Sequence, residues 1–205
     1  MISIKDYEEF MIKSGDRYGL FKLLNDEFSI TTASYPGSYI DITPSFFFPV
    51  TYYIDTDRKA KQFFEMENEI LDYIEKNKTY DEDVTLKYYP EDYRTEFDEI
   101  MNSSDLLISL YAGFISKSCK NLLKKDGLLL ANNSHGDASM AYLDEDFVFY
   151  GVIDYRNKKY YLNSDKLDEY FIPKKNITVT KELLEKTNKG VGYTKSANFY
   201  LFKKN

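Results

Sequence analysis

Apolar positions recur along this chain with two different periods, and the switches between them mark its elements. The first 30 residues are helical in pattern. Ser3 can cap a helix with Asp6 three residues on, and Ile4, Tyr7 and Met11 share one face. Gly15 and Gly19 should divide this region into two pieces, the second carried by Phe21, Leu24 and Phe28. Residues 29–34 are short and β-branched and run into Tyr35-Pro36-Gly37-Ser38, a strand followed by a tight turn. Thr43-Pro44-Ser45 offers a cap and a proline for a helix that Pro49 halts almost at once. Val50 to Ile54 reads as a second strand. From Asp57 to Lys76, Ala60, Phe63, Phe64, Ile70, Leu71 and Ile74 form one stripe at helical spacing. Val84 to Tyr89 is a third strand, closed by Pro90, with a short helix expected over 91–101.

The second half begins with Asp105 to Leu110, a nearly unbroken apolar run of the kind buried on both faces of a sheet. Gly113 to Lys125 reads as a helix with Ile115, Cys119 and Leu122 inward and Gly127 as its terminal cap. Leu128 to Ala131 is another buried strand. Five strand-like runs alternating with connecting segments predict an α/β fold with a parallel sheet and right-handed crossovers. Beyond residue 146 the texture changes. Phe147–Tyr155 and Lys159–Leu162 flank the turn Arg156-Asn157-Lys158 and should pair antiparallel. Short helices over 167–171 and 181–186, the latter capped by Thr180, lead to a last strand over 193–202. The expected organisation is an N-terminal helical extension, residues 1–28, before one domain, residues 29–205.

Composition narrows the partners. The chain has 205 residues, 43% hydrophobic and 30% charged, enough for a sizeable core. A net charge of −7 with four arginines, Arg17, Arg58, Arg94 and Arg156, argues against nucleic acid as partner. One cysteine excludes an internal disulfide and a Cys-rich zinc site, and a single histidine with scattered acids gives no metal-ligand spacing. The acidic start and the absence of a long apolar run point to no membrane and a cytoplasmic protein.

Ligands of open α/β sheets bind beyond the carboxyl ends of the strands, which selects the loops 35–45, 55–58, 90–93, 109–113 and 132–138. Gly37 lets the first loop turn sharply, as a ligand cradle or as an ordinary Pro-Gly turn. An acid about 20 positions on is the usual ribose acceptor; Asp55 and Asp57 both qualify, and Asp57 can instead cap the following helix. In Pro90-Glu91-Asp92-Tyr93, a carboxylate could meet an exocyclic amine and a ring could stack on a base, or the acids could simply begin a helix. The loop Asn132 to Ala138 is polar and holds the only histidine. His135, oriented by Asp137 or an asparagine carbonyl, could act as a general base, with Asn133 and Ser134 as acceptor-binding groups; the same residues also make ordinary turn chemistry. A Ser134-His135-Asp137 triad fails on geometry, because neighbouring side chains in a turn do not face one another and no nucleophile elbow is present. Cys119 sits at core spacing.

The order of these elements resembles the class I S-adenosylmethionine-dependent methyltransferases over about residues 28–202. The resemblance rests on Ser34-Tyr35-Pro36-Gly37-Ser38, on Tyr53-Ile54-Asp55, on Pro90-Glu91-Asp92-Tyr93, on Asp105 to Ser109 and on Leu123 to Leu130. It implies a Rossmann-like, mostly parallel twisted sheet of about seven strands with helices on both faces and an antiparallel C-terminal strand. It also implies S-adenosylmethionine as cofactor. Tyr35, Pro36, Gly37 and Ser38 fall where the family holds the methionine part, Asp55 with Thr56 where it binds ribose, Asp92 with Tyr93 where it meets adenine, and Ser109, Leu110 and Tyr111 where strand four lines the site. The family's acid and three alternating glycines read here Tyr35, Gly37, Tyr39 and Asp41. A methyltransferase for a small-molecule acceptor is therefore expected. The alternatives are a catalytically inactive methyltransferase-like binding or regulatory protein, or another nucleotide-using enzyme on the same fold. The acceptor and the oligomeric state are not encoded in any motif.

Overall fold

The β-branched and aromatic runs of the first third become three parallel strands. The computed structural model describes residues 2–205, and its contacts divide the chain into two units, Met1–Glu96 and Phe97–Asn205. In the first unit, β1 (Thr32–Pro36), β2 (Val50–Ile54) and β3 (Thr85–Tyr89) lie in the order β3-β2-β1. Pro36 pairs with Ile54 and Ile54 with Tyr89, so the three carboxyl ends are level and their loops leave along one edge. All five residues of β1 are buried.

Four helices accompany these strands: α1 (Ile4–Ser14), α2 (Arg17–Glu27), α3 (Arg58–Phe64) and α4 (Glu67–Asn77). Asp6 accepts hydrogen bonds from the Ser3 amide and hydroxyl at 2.7 and 3.0 Å, as the capping pattern predicts. The chain breaks at Gly15 (φ +81°), but Gly19 lies inside α2. There its amide donates to the capping Asp16 carboxylate at 2.8 Å, and a Cβ would come within 2.3 Å of that carboxylate. The expected single helix over 57–76 is two helices. Between Phe64 and Ile70 the buried stripe is interrupted, with only Met66 half-buried, and α4 restarts with Glu67 and Glu69 near its positive end. No helix forms over 91–101 beyond a 3-10 turn, Asp98–Ile100. The Asp92 carboxylate instead takes the Arg94 amide at 2.9 Å, an Asx turn that competes with helix.

Between β1 and β2 only a 3-10 turn forms, Thr43–Phe46, yet the segment from Ile40 to Pro49 is buried throughout. The N-terminal helices and α4 pack over it, with Tyr7 edge-on to Phe46 and Phe21 edge-on to Phe48, both pairs 6.2 Å apart.

In the second unit, β4 (Ser104–Ser109) and β5 (Leu123–Ala131) are parallel, with Ser109 opposite Ala131. β6 (Phe147–Arg156) and β7 (Lys159–Asn163) form the expected antiparallel hairpin, its turn residues Asn157 and Lys158 both left-handed (φ +50° and +61°). β8 (Phe199–Lys204) runs antiparallel to both β5 and β6, giving the order β4-β5-β8-β6-β7. Leu106, Leu107, Ile108, Leu130, Leu201 and Phe202 have no exposed surface and form the centre of this layer. The helices are short: α5 (Ile115–Ser118), α6 (Asp137–Tyr142) and α7 (Lys181–Thr187), the last capped by the Thr180 hydroxyl as predicted.

Three sequence expectations fail in this unit, and the simplest is the helix over 167–171, of which only a 3-10 turn forms, Leu167–Glu169. The helix over 113–125 is one turn of α5 and a 3-10 turn, and Lys124 and Lys125 already belong to β5. β5 accommodates them through a bulge at Asp126 (φ +64°), where Lys124 reaches Asp105 at 2.8 Å. Gly127 is therefore no helix cap. A Cβ on it would sit 3.0 Å from the Lys124 carbonyl and 3.2 Å from that of Ser104. The last strand starts at Phe199, not at residue 193, and the six residues before it follow an irregular path. Among the described residues, no helix is long and apolar enough to cross a membrane.

Candidate functional site

In the first unit, the turn after β1 is rigid. The Gly37 amide donates to the Ile54 carbonyl at 2.8 Å, and Gly37 and Tyr39 are both left-handed (φ +69° and +50°). Tyr39 thus adopts a glycine-like backbone at one of the resembling family's glycine positions, its ring edge-on to Phe10 at 5.3 Å. Its amide donates to the Asp55 carboxylate at 2.7 Å, and the other Asp55 oxygen accepts from the Asp57 amide at 2.7 Å. Asp57 itself caps α3 through the amides of Lys59 and Ala60. Asp55 is therefore the half-buried acid that the end of β2 aims toward the β1 turn, with the exposed Thr56 beside it. The Tyr88 hydroxyl donates to the Asp55 carbonyl at 2.7 Å, and burial pushes Tyr88 up to about 12.

Asp41, where the resemblance expects the last glycine, is wholly buried. It accepts from the Thr43 hydroxyl at 2.6 Å and the Thr43 amide at 3.1 Å, and from the Tyr35 hydroxyl at 3.3 Å. Arg17 of α2, also buried, lies 3.8 Å away. Burial raises the Asp41 carboxyl, and the guanidinium opposes that rise. Tyr35 and Ser38 are buried here as well. At the far end of the unit, Arg94 clamps Asp92 with two side-chain hydrogen bonds of 2.9 and 2.5 Å, holding its carboxyl down at about 2. Tyr93 beside it is half-buried.

In the second unit, Asp137 is the first residue of α6 and is completely enclosed. Its carboxylate accepts from the hydroxyl of Ser109, the last residue of β4, and from the Ser116 hydroxyl at 2.5 Å and amide at 3.1 Å. Burial pushes the carboxyl up to about 6, against the pull of these donors. One carboxylate thus fastens the end of β4, α5 and α6 together. His135, two residues earlier, is half-buried, and its side chain makes no hydrogen bond among the described residues. The structure brings Asp137 to Ser109 and Ser116, not to His135.

A cleft of about 350 Å³ opens beyond the carboxyl ends of β4 and β5. Its walls are Tyr111 after β4, Asn132 to Ser134 after β5, and the irregular stretch leading into β8. The two loops are joined closely. The Asn133 carboxamide oxygen accepts from the Ser139 amide and hydroxyl at 3.1 and 2.8 Å, and the same hydroxyl lies 2.7 Å from that of Tyr193. The Gly190 amide donates to the Ser134 carbonyl at 3.3 Å, and a Cβ on Gly190 would overlap the Asn133 carbonyl at 1.8 Å. Tyr111 stands on the rim, 58% exposed and left-handed (φ +63°), while Leu110 before it is buried.

No family model matches this sequence, and no curated protein is similar to it in sequence. Solved structures are. An O-methyltransferase from Klebsiella pneumoniae, so named provisionally, aligns with 72% of this chain and 77% of its own at 12% identity and a TM-score of 0.50. A methyltransferase from Geobacter sulfurreducens aligns with 73% of this chain and 82% of its own at 16% identity and a TM-score of 0.46.

The fold is that of the class I methyltransferases.

On the methyltransferase fold, the turn after β1 and the acid ending β2 lie at the edge the sequence reading named, with Tyr39 and Asp41 in place of glycines. Asn132 falls in the selected loop 132–138 without being singled out, and the apolar pattern gave no sign of Lys174 or of the cleft-lining Val191, Gly192, Tyr193, Ser196, Ala197, Asn198 and Tyr200. One signal was available. Gly190 and Gly192 stand close together in a chain with nine glycines, and close backbone approach is what a scarce glycine marks.

Proposed function

We propose that this chain is an S-adenosylmethionine-dependent methyltransferase acting on a small-molecule acceptor, and that it works in the cytoplasm. The observation that carries the reading is the Asp55 carboxylate, set by two backbone amides at the carboxyl end of β2 in a methyltransferase fold. Each of its oxygens has one donor, which leaves lone pairs for ribose hydroxyls. The residues of the first unit therefore fit the nucleoside, with Thr56 beside the acid and the turn Tyr35 to Ser38 beneath the methionine part. Asp92 and Tyr93 are assigned to adenine in this reading, and Asp92 would have to share its carboxylate with Arg94. In the second unit, Ser109, Leu110 and Tyr111 take the strand-four role.

The bound cofactor would supply a methyl group on a positively charged sulfur. The chain's own part is to hold the acceptor in line, and orientation of this kind provides most of the acceleration in such transfers. Asn133 and Ser134 bind the acceptor in the cleft, and His135 takes the proton it releases. Asp137 acts as a positioning residue by fixing the helix that follows.

The test is thermal unfolding with S-adenosylhomocysteine. Saturation about a hundredfold above Kd raises stability by about 2.7 kcal/mol, a shift of several degrees. Asp55→Ala should weaken binding at least tenfold. A flat response in the unaltered protein would instead favour the inactive, methyltransferase-like binding protein.

A further inference from the structure

The cleft of the second unit differs in charge from the rest of the molecule. The chain carries a net charge of −7, yet no acid lines this cleft, and its one charged wall residue is Lys174. Lys174 is exposed and has no ion-pair partner among the described residues. Another groove of the same unit, about 450 Å³ along the β6–β7 hairpin, is different: Arg156 lies 3.5 Å from Asp154, and Lys195 is 2.6 Å from Glu169. Its cations are already neutralised.

A second, independent feature points to a ligand in the cleft. Asn132 is 5% exposed and lines it. Its carboxamide oxygen accepts from the Ser134 amide and hydroxyl at 3.3 and 2.9 Å, which fixes which way the amide faces. Its nitrogen is then buried with no hydrogen-bond partner. Native structures rarely leave such a donor unsatisfied, because it has given up water for nothing. A ligand oxygen seated against Asn132 satisfies it. Three tyrosines, Tyr111, Tyr193 and Tyr200, stand among the uncharged residues of the remaining walls, and the volume lies at the small end for a ligand site.

We infer that this cleft binds a small aromatic molecule bearing an anionic oxygen group, a carboxylate or phosphate. Lys174 serves as its counter-charge, Asn132 as its hydrogen-bond donor and the three tyrosines as part of its walls. The inference rests on the methyltransferase reading only in identifying this molecule with the acceptor.

Isothermal titration of the intact chain tests it with benzoate, phenyl phosphate, benzamide and benzylammonium. One or both anions should bind at least tenfold more tightly than the neutral and cationic probes, and which one does decides between carboxylate and phosphate. Lys174→Ala, a change at an exposed position, should bring the preferred anion down to the level of benzamide. Acetate and inorganic phosphate should bind at least tenfold more weakly than their aromatic counterparts. Equal binding of benzamide, no binding of either aromatic anion, or an affinity unmoved by Lys174→Ala overturns the assignment. S-adenosylhomocysteine is titrated into the same sample. Its binding without that of the aromatic anions leaves the methyltransferase reading standing and removes this inference; the reverse pattern removes the methyltransferase reading and keeps the ligand site.

Discussion

Tyr111 keeps a left-handed backbone at φ +63° while most of its ring is in solvent. A bulky residue in that region is strained by about 1–3 kcal/mol, and such strain collects where a side chain is needed for binding. Tyr111→Gly should therefore change unfolding stability by no more than about 1 kcal/mol, since glycine takes this backbone without penalty, yet reduce aromatic-anion binding severalfold. A large loss of stability with unchanged binding would make the tyrosine a packing residue. Asp137 gives a second expectation. Its carboxyl stands at about 6 in the folded chain against an ordinary 3.8, so the folded state holds this proton more tightly. The stability it contributes is complete below about pH 4 and is lost as pH rises through about 6. The stability of the unaltered protein minus that of Asp137→Asn, from urea unfolding at pH 4 and pH 7, should fall by about 2–3 kcal/mol across that range. At this scale the sequence is legible where partners are neighbours: Ser3 with Asp6, Asp57 capping α3, Thr180 capping α7. Ser109 with Asp137 and Ser139 with Tyr193 are separated by 28 and 54 positions, and no local pattern announces them.

Elements were readable wherever an uninterrupted apolar period backed them. β2 falls on the predicted Val50–Ile54, and the β6–β7 hairpin follows from alternation around a polar turn. Misreadings came where the period broke or local side-chain bonds won. The interruption between Phe64 and Ile70 split a helix, Asp92 diverted another, and a bulge at Asp126 turned an expected helix end into strand. The stretch before β8 has no period at all, so the wall of the cleft could not be drawn from pattern. Its placement depends on Gly190, where backbone meets backbone. Gly190→Ala should cost about 2 kcal/mol or more, because the neighbour it strikes is a carbonyl that cannot move aside as a side chain would. It should also lower anion affinity, while Gly192→Ala, which meets only the Lys174 side chain at 4.0 Å, should be nearly silent. Equal effects of the two would show that the loops are not held by this contact.

The whole molecule shows how far order of elements carries a reading when motifs are weak. The alternation of strands and connections pointed to the right fold although the glycine pattern is replaced by Tyr39, Asp41 and Arg17. The replacement could not be foreseen, because it depends on α2 supplying a cation to a turn more than 20 residues away. Within the second unit, β8 is bonded on both sides, and Leu201, wholly buried, pairs with Leu130 of β5 and Gly151 of β6. Leu201→Pro removes an amide from the middle of this ladder and should cost about 3 kcal/mol or more. Loss of hydrogen-exchange protection at β5 and β6 is the measurement; retained protection there would mean the strand is dispensable.

The central place of β8 has a consequence for synthesis. The ribosome makes β5 and β6 first, then roughly 40 further residues before their common neighbour, a wait of about 2–8 s at ordinary elongation rates of about 5–20 residues per second. During that interval the nascent chain presents two bare, leucine- and phenylalanine-rich edges with a gap between them one strand wide. Yield in the cell should thus depend on whether a chaperone shields those edges or translation hurries through the stretch that separates them from the strand that joins them.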